Sequence, residues 1–179
     1  MILKVNEEIV LRQLQLSDAV EIFHAIDSQR TYLGKWLPFV AFTKEVSDTE
    51  KFVVSIVNAP KEKQEYVFTI RKHDQLVGLI SFNTTDKTNK KTQIGYWLSE
   101  KFQGQGIMTQ AVQKMCNFAF EELNLNRVQL NIAVENIPSK NIPKRLGFTL
   151  EGVERDGELL TGNVYTDLEV YSKLKSDTL

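Results

Sequence analysis

Apolar residues recur along this chain in two rhythms, and the places where one gives way to the other mark its elements. In residues 8–14, Ile9, Leu11 and Gln13 alternate with Val10, Arg12 and Leu14, the period of two that predicts a strand. Ser17-Asp18 then has the composition of a helix start with Glu21 placed to complement it, and Ala19, Ile22, Phe23 and Ile26 form one apolar helix face. Ser47-Asp48-Thr49-Glu50 opens another helix, to about residue 58, closed by Pro60 and the charged stretch 61–63. From Tyr66 the period returns to two: residues 66–71 and 76–82 flank the polar turn His73-Asp74-Gln75 and predict an antiparallel hairpin. A second turn, 85–91, leads into a strand ending Ile94-Gly95-Tyr96-Trp97-Leu98.

The second half begins with a helical pattern. Met108, Ala111, Val112, Met115, Ala119 and Leu123 lie three and four apart, as one buried face requires. Residues 126–134 alternate as a further strand, reached by a right-handed crossover if parallel to its predecessor. A short helix runs to Leu146 and stops at Gly147, placed as a C-cap glycine. Residues 148–153 resume as strand, and in 162–173 Val164, Thr166, Leu168 and Val170 alternate with Tyr165, Asp167, Glu169 and Tyr171 as a last hairpin strand. Three meander strands ahead of residue 100 argue against a doubly wound parallel sheet; the class is α+β with a mixed sheet. One segment resists assignment: Thr31-Tyr32-Leu33-Gly34-Lys35-Trp36-Leu37-Pro38-Phe39 is aromatic and broken by Gly34 and Pro38. It either caps the core as part of a second helix or walls a pocket.

Composition narrows the class. With 179 residues, 42% of them hydrophobic, and no Pro/Gly/Ser-rich linker, one domain spanning 1–179 is expected. A net charge of -1 with interspersed Lys and Glu leaves no footprint for nucleic acid or an anionic membrane. The one cysteine, Cys116, excludes an internal disulfide and falls on the buried side of its helix, and no Cys/His cluster has metal-ligand spacing. Residues 1–10 carry charges throughout, and the longest apolar run, 52–57, is far too short to span a bilayer, so a cytoplasmic protein is expected.

The candidate chemistry lies between strand and helix, in Gln103-Gly104-Gln105-Gly106-Ile107-Met108. Glycines at the mouth of a helix let the backbone approach a ligand, and the first helical N–H groups lack internal partners, so the turn is an anion site that needs no basic side chain. A P-loop would require Gly-Lys-Ser/Thr after four residues, which does not occur, and a dinucleotide fingerprint would require glycine where Thr109 stands. The turn does resemble the Q/R-x-x-G-x-G/A pyrophosphate loop of the GNAT superfamily of acetyl-CoA-dependent N-acetyltransferases, with Met108 in place of the last glycine or alanine. A second block, Asn136-Ile137-Pro138-Ser139 followed by Arg145-Leu146-Gly147-Phe148, is similar to that superfamily's N-x-x-S and L-G-F, at its spacing. Capping of the short helix is a competing role for Asn136 and Ser139. Pro143 departs from the residue expected there and removes the N–H that would bond the Ser139 carbonyl.

Leu33-Gly34-Lys35-Trp36-Leu37-Pro38, Ile94-Gly95-Tyr96-Trp97-Leu98, Gly106-Ile107-Met108-Thr109 and Leu150-Glu151-Gly152 look like the RimJ/RimL type, the ribosomal-protein N-terminal acetyltransferases, and this resemblance covers nearly the whole chain. It implies a GNAT fold, a mostly antiparallel sheet splayed between two central parallel strands and flanked by helices. Acetyl-CoA is the implied cosubstrate, without metal. Tyr96, Trp97, Leu98, Gln103, Gly104, Gln105, Gly106, Ile107, Met108, Thr109, Asn131, Asn136 and Ser139 are the implied cofactor contacts. Trp36 and Glu158 would face the acceptor amine. Ser139 matches the serine assigned to protonate the leaving thiolate, and Glu158, expected on a turn, matches a glutamate assigned as base; a water relay stays open in its place. The implied acceptor is a protein N-terminus, with a small amine (polyamine, amino acid or antibiotic) as the alternative and a non-catalytic acyl-CoA sensor as the alternative of another class. A homodimer is left open, and neither nucleic acid nor membrane is expected as a partner.

Overall fold

The computed structural model describes residues 1–60 and 65–178. Among them are eight strands: β1 (Ile2–Lys4), β2 (Ile9–Gln13), β3 (Val67–Lys72), β4 (Gln75–Asp86), β5 (Lys91–Leu98), β6 (Arg127–Ala133), β7 (Thr149–Leu160) and β8 (Val164–Leu174). The helices are α1 (Ala19–Asp27), α2 (Arg30–Gly34), α3 (Val46–Val57), α4 (Ile107–Asn117) and α5 (Ile137–Arg145). The strands form a mixed, mostly antiparallel sheet in the order β1-β2-β3-β4-β5-β6-β8-β7, with β5 and β6 as the parallel pair. The chain divides into two units, residues 1–81 with 96–105, and residues 82–95 with everything from 106.

In the first unit, β1 to β4 form an antiparallel meander. His73 and Asp74, at φ 48° and 64°, make the β3–β4 turn, with Lys72 opposite Gln75. That is the two-residue hairpin geometry whose twist suits the flanking strands. The predicted face of α1 is buried, and its Ala19, Ile22 and Ile26 pack into a core with Leu14, Leu33, Val40, Val53, Val67, Leu76, Leu79 and Trp97. Glu21 does not cap α1. The helix entry is held instead by Asp18, which accepts the Gln15 N–H at 2.9 Å, while Glu21 accepts from Arg71 at 2.7 Å and from the Leu76 N–H at 3.1 Å. Asp18 is 2% exposed and also binds Arg12 and Arg71, so the ion cluster ties β2 and β3 to α1. Breaking such a pair typically costs about 3–5 kcal/mol because the remaining charge stays buried. α3 starts slightly ahead of Ser47, where Asp48 accepts the Glu45 N–H, and ends at Val57 with Asn58 as its C-cap, as expected; of the residues expected to close it, 61–63 lie outside the described residues.

The second unit packs α4 and α5 with β6, β7 and β8. Met108, Ala111, Val112, Met115 and Ala119 are buried as their spacing predicts, but Leu123 is only half-buried. A π-helical turn at Phe118–Glu122 explains this, with the Leu123 N–H bonded to the Phe118 carbonyl at 3.1 Å. Its extra residue rotates the stripe, so Leu125 takes the buried place and Phe118 stacks on Phe82 at 6.1 Å. Cys116 is core: burial pushes its thiol up to about 12. β7 runs to Leu160, well past the expected end at 153. β1 was not anticipated, because three residues are too few to show an alternation. No helix among the described residues is long and apolar enough to cross a membrane.

Candidate functional site

The turn before α4 is built by backbone conformation. A 3-10 turn, Glu100–Phe102, ends in extended Gln103 (φ -64°, ψ 160°), and Gly104 and Gly106 both adopt φ 71°. L side chains avoid that region, so both positions favour glycine. A Cβ at Gly104 would meet nothing within 4 Å, and one at Gly106 only the Gln110 side chain at 3.7 Å, so the space over the turn is open. Gly106 is the N-cap of α4 and offers no side chain to its first N–H groups, which leaves those donors for a ligand.

Around this exposed turn, anchors hold it from both ends. Ile107 and Met108 are buried, at 1% and 5% exposure, so they offer a ligand only main chain. The side chain of Met108 serves the core, which is why a large residue is tolerated at the motif's last position. Gln103 donates to the Tyr32 hydroxyl on α2, and Gln105 accepts from Lys72 at 2.9 Å. Burial pushes the Tyr32 phenol up, the Gln103 bond works against this, and the Glu100 charge adds to it. Gln29 reinforces the same contact, donating to Ser99 Oγ at 3.0 Å and accepting the Glu100 N–H at 2.9 Å. Of the two roles open to the 31–39 segment, core capping is seen at Leu33, which packs with Val40 just beyond it, while Trp36 is half-buried with Lys35 Nζ 4.8 Å from its ring centroid. Tyr96 and Leu98 are half-buried, and Trp97 lies in the first unit's core, so its contribution to a site is also main chain.

In the second unit, Asn136 and Ser139 meet at the start of α5. Asn136 Oδ1 accepts the Ser139 backbone N–H at 3.4 Å. The cap therefore engages the main chain of Ser139. α5 is clamped to β8 through Lys140, which pairs with Glu169 at 2.6 Å and donates to the Val134 carbonyl at 2.9 Å. Burial pushes Glu169 up, but bonds from Lys140 and Tyr171 outweigh it and hold the carboxyl below its ordinary range.

Glu158 is on strand β7, not on a turn; the connecting turn is confined to 161–163. Pairing with β8 passes from Glu154 opposite Leu168 to Glu158 opposite Thr166, so β7 holds two extra residues there. In an unbroken ladder Asp156 would face Thr166. Instead Asp156 takes φ 48° and donates its N–H to Asp167 at 2.8 Å, and Glu158 moves into register, half-buried. Burial pushes its carboxyl up, toward the range of a useful base. Bulges often re-aim side chains in this way.

Asn131 ends a polar ladder on β6 that the sequence reading did not anticipate. Arg127 donates to Gln129 and Gln129 to Asn131, each at 2.8 Å. The alternation of Arg127, Gln129 and Asn131 with Val128, Leu130 and Ile132 was the available signal.

Comparison with known proteins agrees with this geometry. The acetyltransferase (GNAT) domain family matches residues 8–149. YdaF of Bacillus subtilis (strain 168) is 37% identical over 180 residues, 97% of this chain and 95% of its own. The ribosomal-protein-serine acetyltransferase of Escherichia coli (strain K12) is 33% identical over 172 residues, 96% of each chain. Among solved structures, RimL, a ribosomal L7/L12 alpha-N-protein acetyltransferase in complex with coenzyme A, matches with a TM-score of 0.92 at 28% identity, over 97% of this chain and 98% of its own.

Proposed function

The chain belongs to the GNAT acetyltransferase family, and from that premise we propose that residues 1–179 act as one acetyl-CoA-dependent domain that acetylates the N-terminal α-amine of a ribosomal protein in the cytoplasm. The observation that carries this reading is the turn at Gly104 and Gly106, whose backbone opens α4 with its N–H groups uncapped. The pyrophosphate of acetyl-CoA binds those N–H groups at Gly106, Ile107, Met108 and Thr109, with Gln103, Gly104 and Gln105 shaping the approach. The pantetheine arm follows the main chain of Tyr96, Trp97 and Leu98, and Trp36 walls the acceptor side. Relatives named for ribosomal-protein acetylation support this acceptor.

The reaction requires three transfers. Glu158, directly or through water, takes a proton from the α-ammonium, whose ordinary pKa of about 7.7 to 8.0 leaves much of it protonated at neutral pH. The freed amine attacks the thioester carbonyl carbon, and a β5 main-chain N–H stabilises the oxyanion, an interaction worth about 3 kcal/mol. The carbon–sulfur bond then breaks as the amide nitrogen sheds its second proton to water, while Ser139 delivers its hydroxyl proton to the CoA thiolate and regains one from that water. No covalent enzyme intermediate forms, and the buried Cys116 takes no part.

Thiol release from acetyl-CoA, measured with N-terminal peptides of ribosomal proteins and with polyamines, amino acids and aminoglycosides, tests the proposal. Higher kcat/KM on the peptides is expected. Preference for a compact amine would move the acceptor assignment to small molecules, and tight CoA binding without release on any amine would indicate a sensor module.

A further inference from the structure

β6 divides its side chains cleanly: Val128, Leu130 and Ile132 are buried, while Arg127, Gln129 and Asn131 line the other face half-buried. Arg127 is held in place across β8, which lies between β6 and β7. Its two terminal nitrogens bond Glu151 of β7 at 2.5 and 2.6 Å, and Glu151 also accepts from Ser172 Oγ of β8 at 2.7 Å. Glu151 is the extra residue of a bulge, since Leu150 pairs with Tyr171 and Gly152 with Val170.

The direction of the ladder follows from chemistry. A guanidinium can only donate, so Gln129 must turn its oxygen toward Arg127, as the 2.8 Å bond shows. The Gln129 NH2 then faces Asn131 and requires an acceptor, which fixes Asn131 Oδ1 toward it at 2.8 Å. One choice at Arg127 therefore sets both amides and turns the Asn131 NH2 away from the ladder. The position is also particular: the parallel register of β5 with β6 runs through Gln93 opposite Gln129, and Asn131 is the next residue on that face.

Resting on the acetyl-transfer reading, we propose that Arg127 and Gln129 are positioning residues that hold the Asn131 amide as an N–H donor for an amide carbonyl oxygen of a reactant. Two reactants carry such a carbonyl, the pantetheine arm of acetyl-CoA and the first peptide bond of a protein acceptor. The donor cannot serve the acceptor's ammonium, because an N–H offers it no lone pair.

Gln129→Glu tests the relay. It keeps the shape and still accepts from Arg127, but as a carboxylate it cannot donate, so Asn131 must flip to donate to it and turn its oxygen outward. Acetyl transfer is measured with a peptide and with a primary amine that lacks an amide, alongside calorimetric CoA affinity and the melting temperature. One lost hydrogen bond predicts a change of about 3- to 10-fold. Weaker CoA with both acceptors affected assigns the carbonyl to pantetheine; a raised KM for the peptide alone assigns it to the acceptor. Asn131→Asp, which removes the donor directly, must move the same constant. An active wild type with both variants unchanged in KM and CoA affinity would overturn the relay. A wild type that acetylates no amine would instead fail the reading beneath it.

Discussion

Around Gly104 and Gly106 the groups offered to a ligand are main-chain N–H, whereas on β7 the group offered is one carboxylate, Glu158, moved into place by two extra residues in the strand. The first region depends on φ and can be written in a short motif, because only glycine sits comfortably at both positions. The second depends on how β7 pairs with β8 beyond the last motif block, which ends at Phe148, and no local residue pattern announces that. In the proposed reading, phosphate binding is a property of the backbone and proton handling a property of register. The two should therefore fail differently when mutated.

The largest effect is expected at Gly106→Val. A β-branched side chain at φ 71° forces the turn to rearrange, which should abolish calorimetrically detectable acetyl-CoA binding while circular dichroism shows the fold retained. Undiminished affinity would remove the phosphate assignment and with it the backbone half of the comparison.

Glu158→Gln comes next, with kcat/KM reduced about 10²- to 10⁴-fold below the pKa of the acceptor amine. The sign with pH follows from burial. Because the carboxyl is pushed up, the wild-type rate should rise with pH through a step above the ordinary carboxylate range as Glu158 loses its proton. The mutant should lack that step and recover as the amine arrives already neutral. A defect of equal size at every pH would make Glu158 a residue that positions the acceptor.

Ser139→Ala sharpens the account within α5. Since Asn136 caps through the Ser139 main-chain N–H, alanine leaves the cap intact and removes only the hydroxyl. Turnover should fall about 10²-fold, the lower end for proton transfer, with CoA affinity unchanged. Stopped-flow measurement of thiol release would reveal the loss; equal rates would leave the thiolate to be protonated by water.

The smallest effect belongs to Gln103→Ala. Its side chain bonds Tyr32, so it steadies the turn from α2 and should cost acetyl-CoA binding only about 3- to 10-fold, read by the same calorimetry. A loss as large as that at Gly106 would mean the side chain itself binds phosphate.

What could be read from sequence follows the same division. The α1 face, the 66–82 hairpin, the parallel crossover and both motif blocks are local patterns, and each appears where its spacing placed it. Three things were not legible. The π-helical turn at Phe118–Glu122 shifts burial from Leu123 to Leu125 through one extra residue that no periodicity encodes. Glu21 looked like a cap from its distance to Ser17 and Asp18, yet a buried Arg71 fifty residues on claims it. Glu158 was expected on a turn, but in the structure the chain stays in strand through Leu160. Each departure is decided by an extra residue within an element or by a contact distant in sequence.

The most direct measurement is tandem mass spectrometry of a ribosomal-protein N-terminal peptide, containing an internal lysine, after incubation with acetyl-CoA and the wild-type enzyme. The account predicts one acetyl group on the α-nitrogen and none on the lysine. A peptide returned unmodified by an enzyme that binds CoA, or one acetylated on the side chain instead, would contradict it.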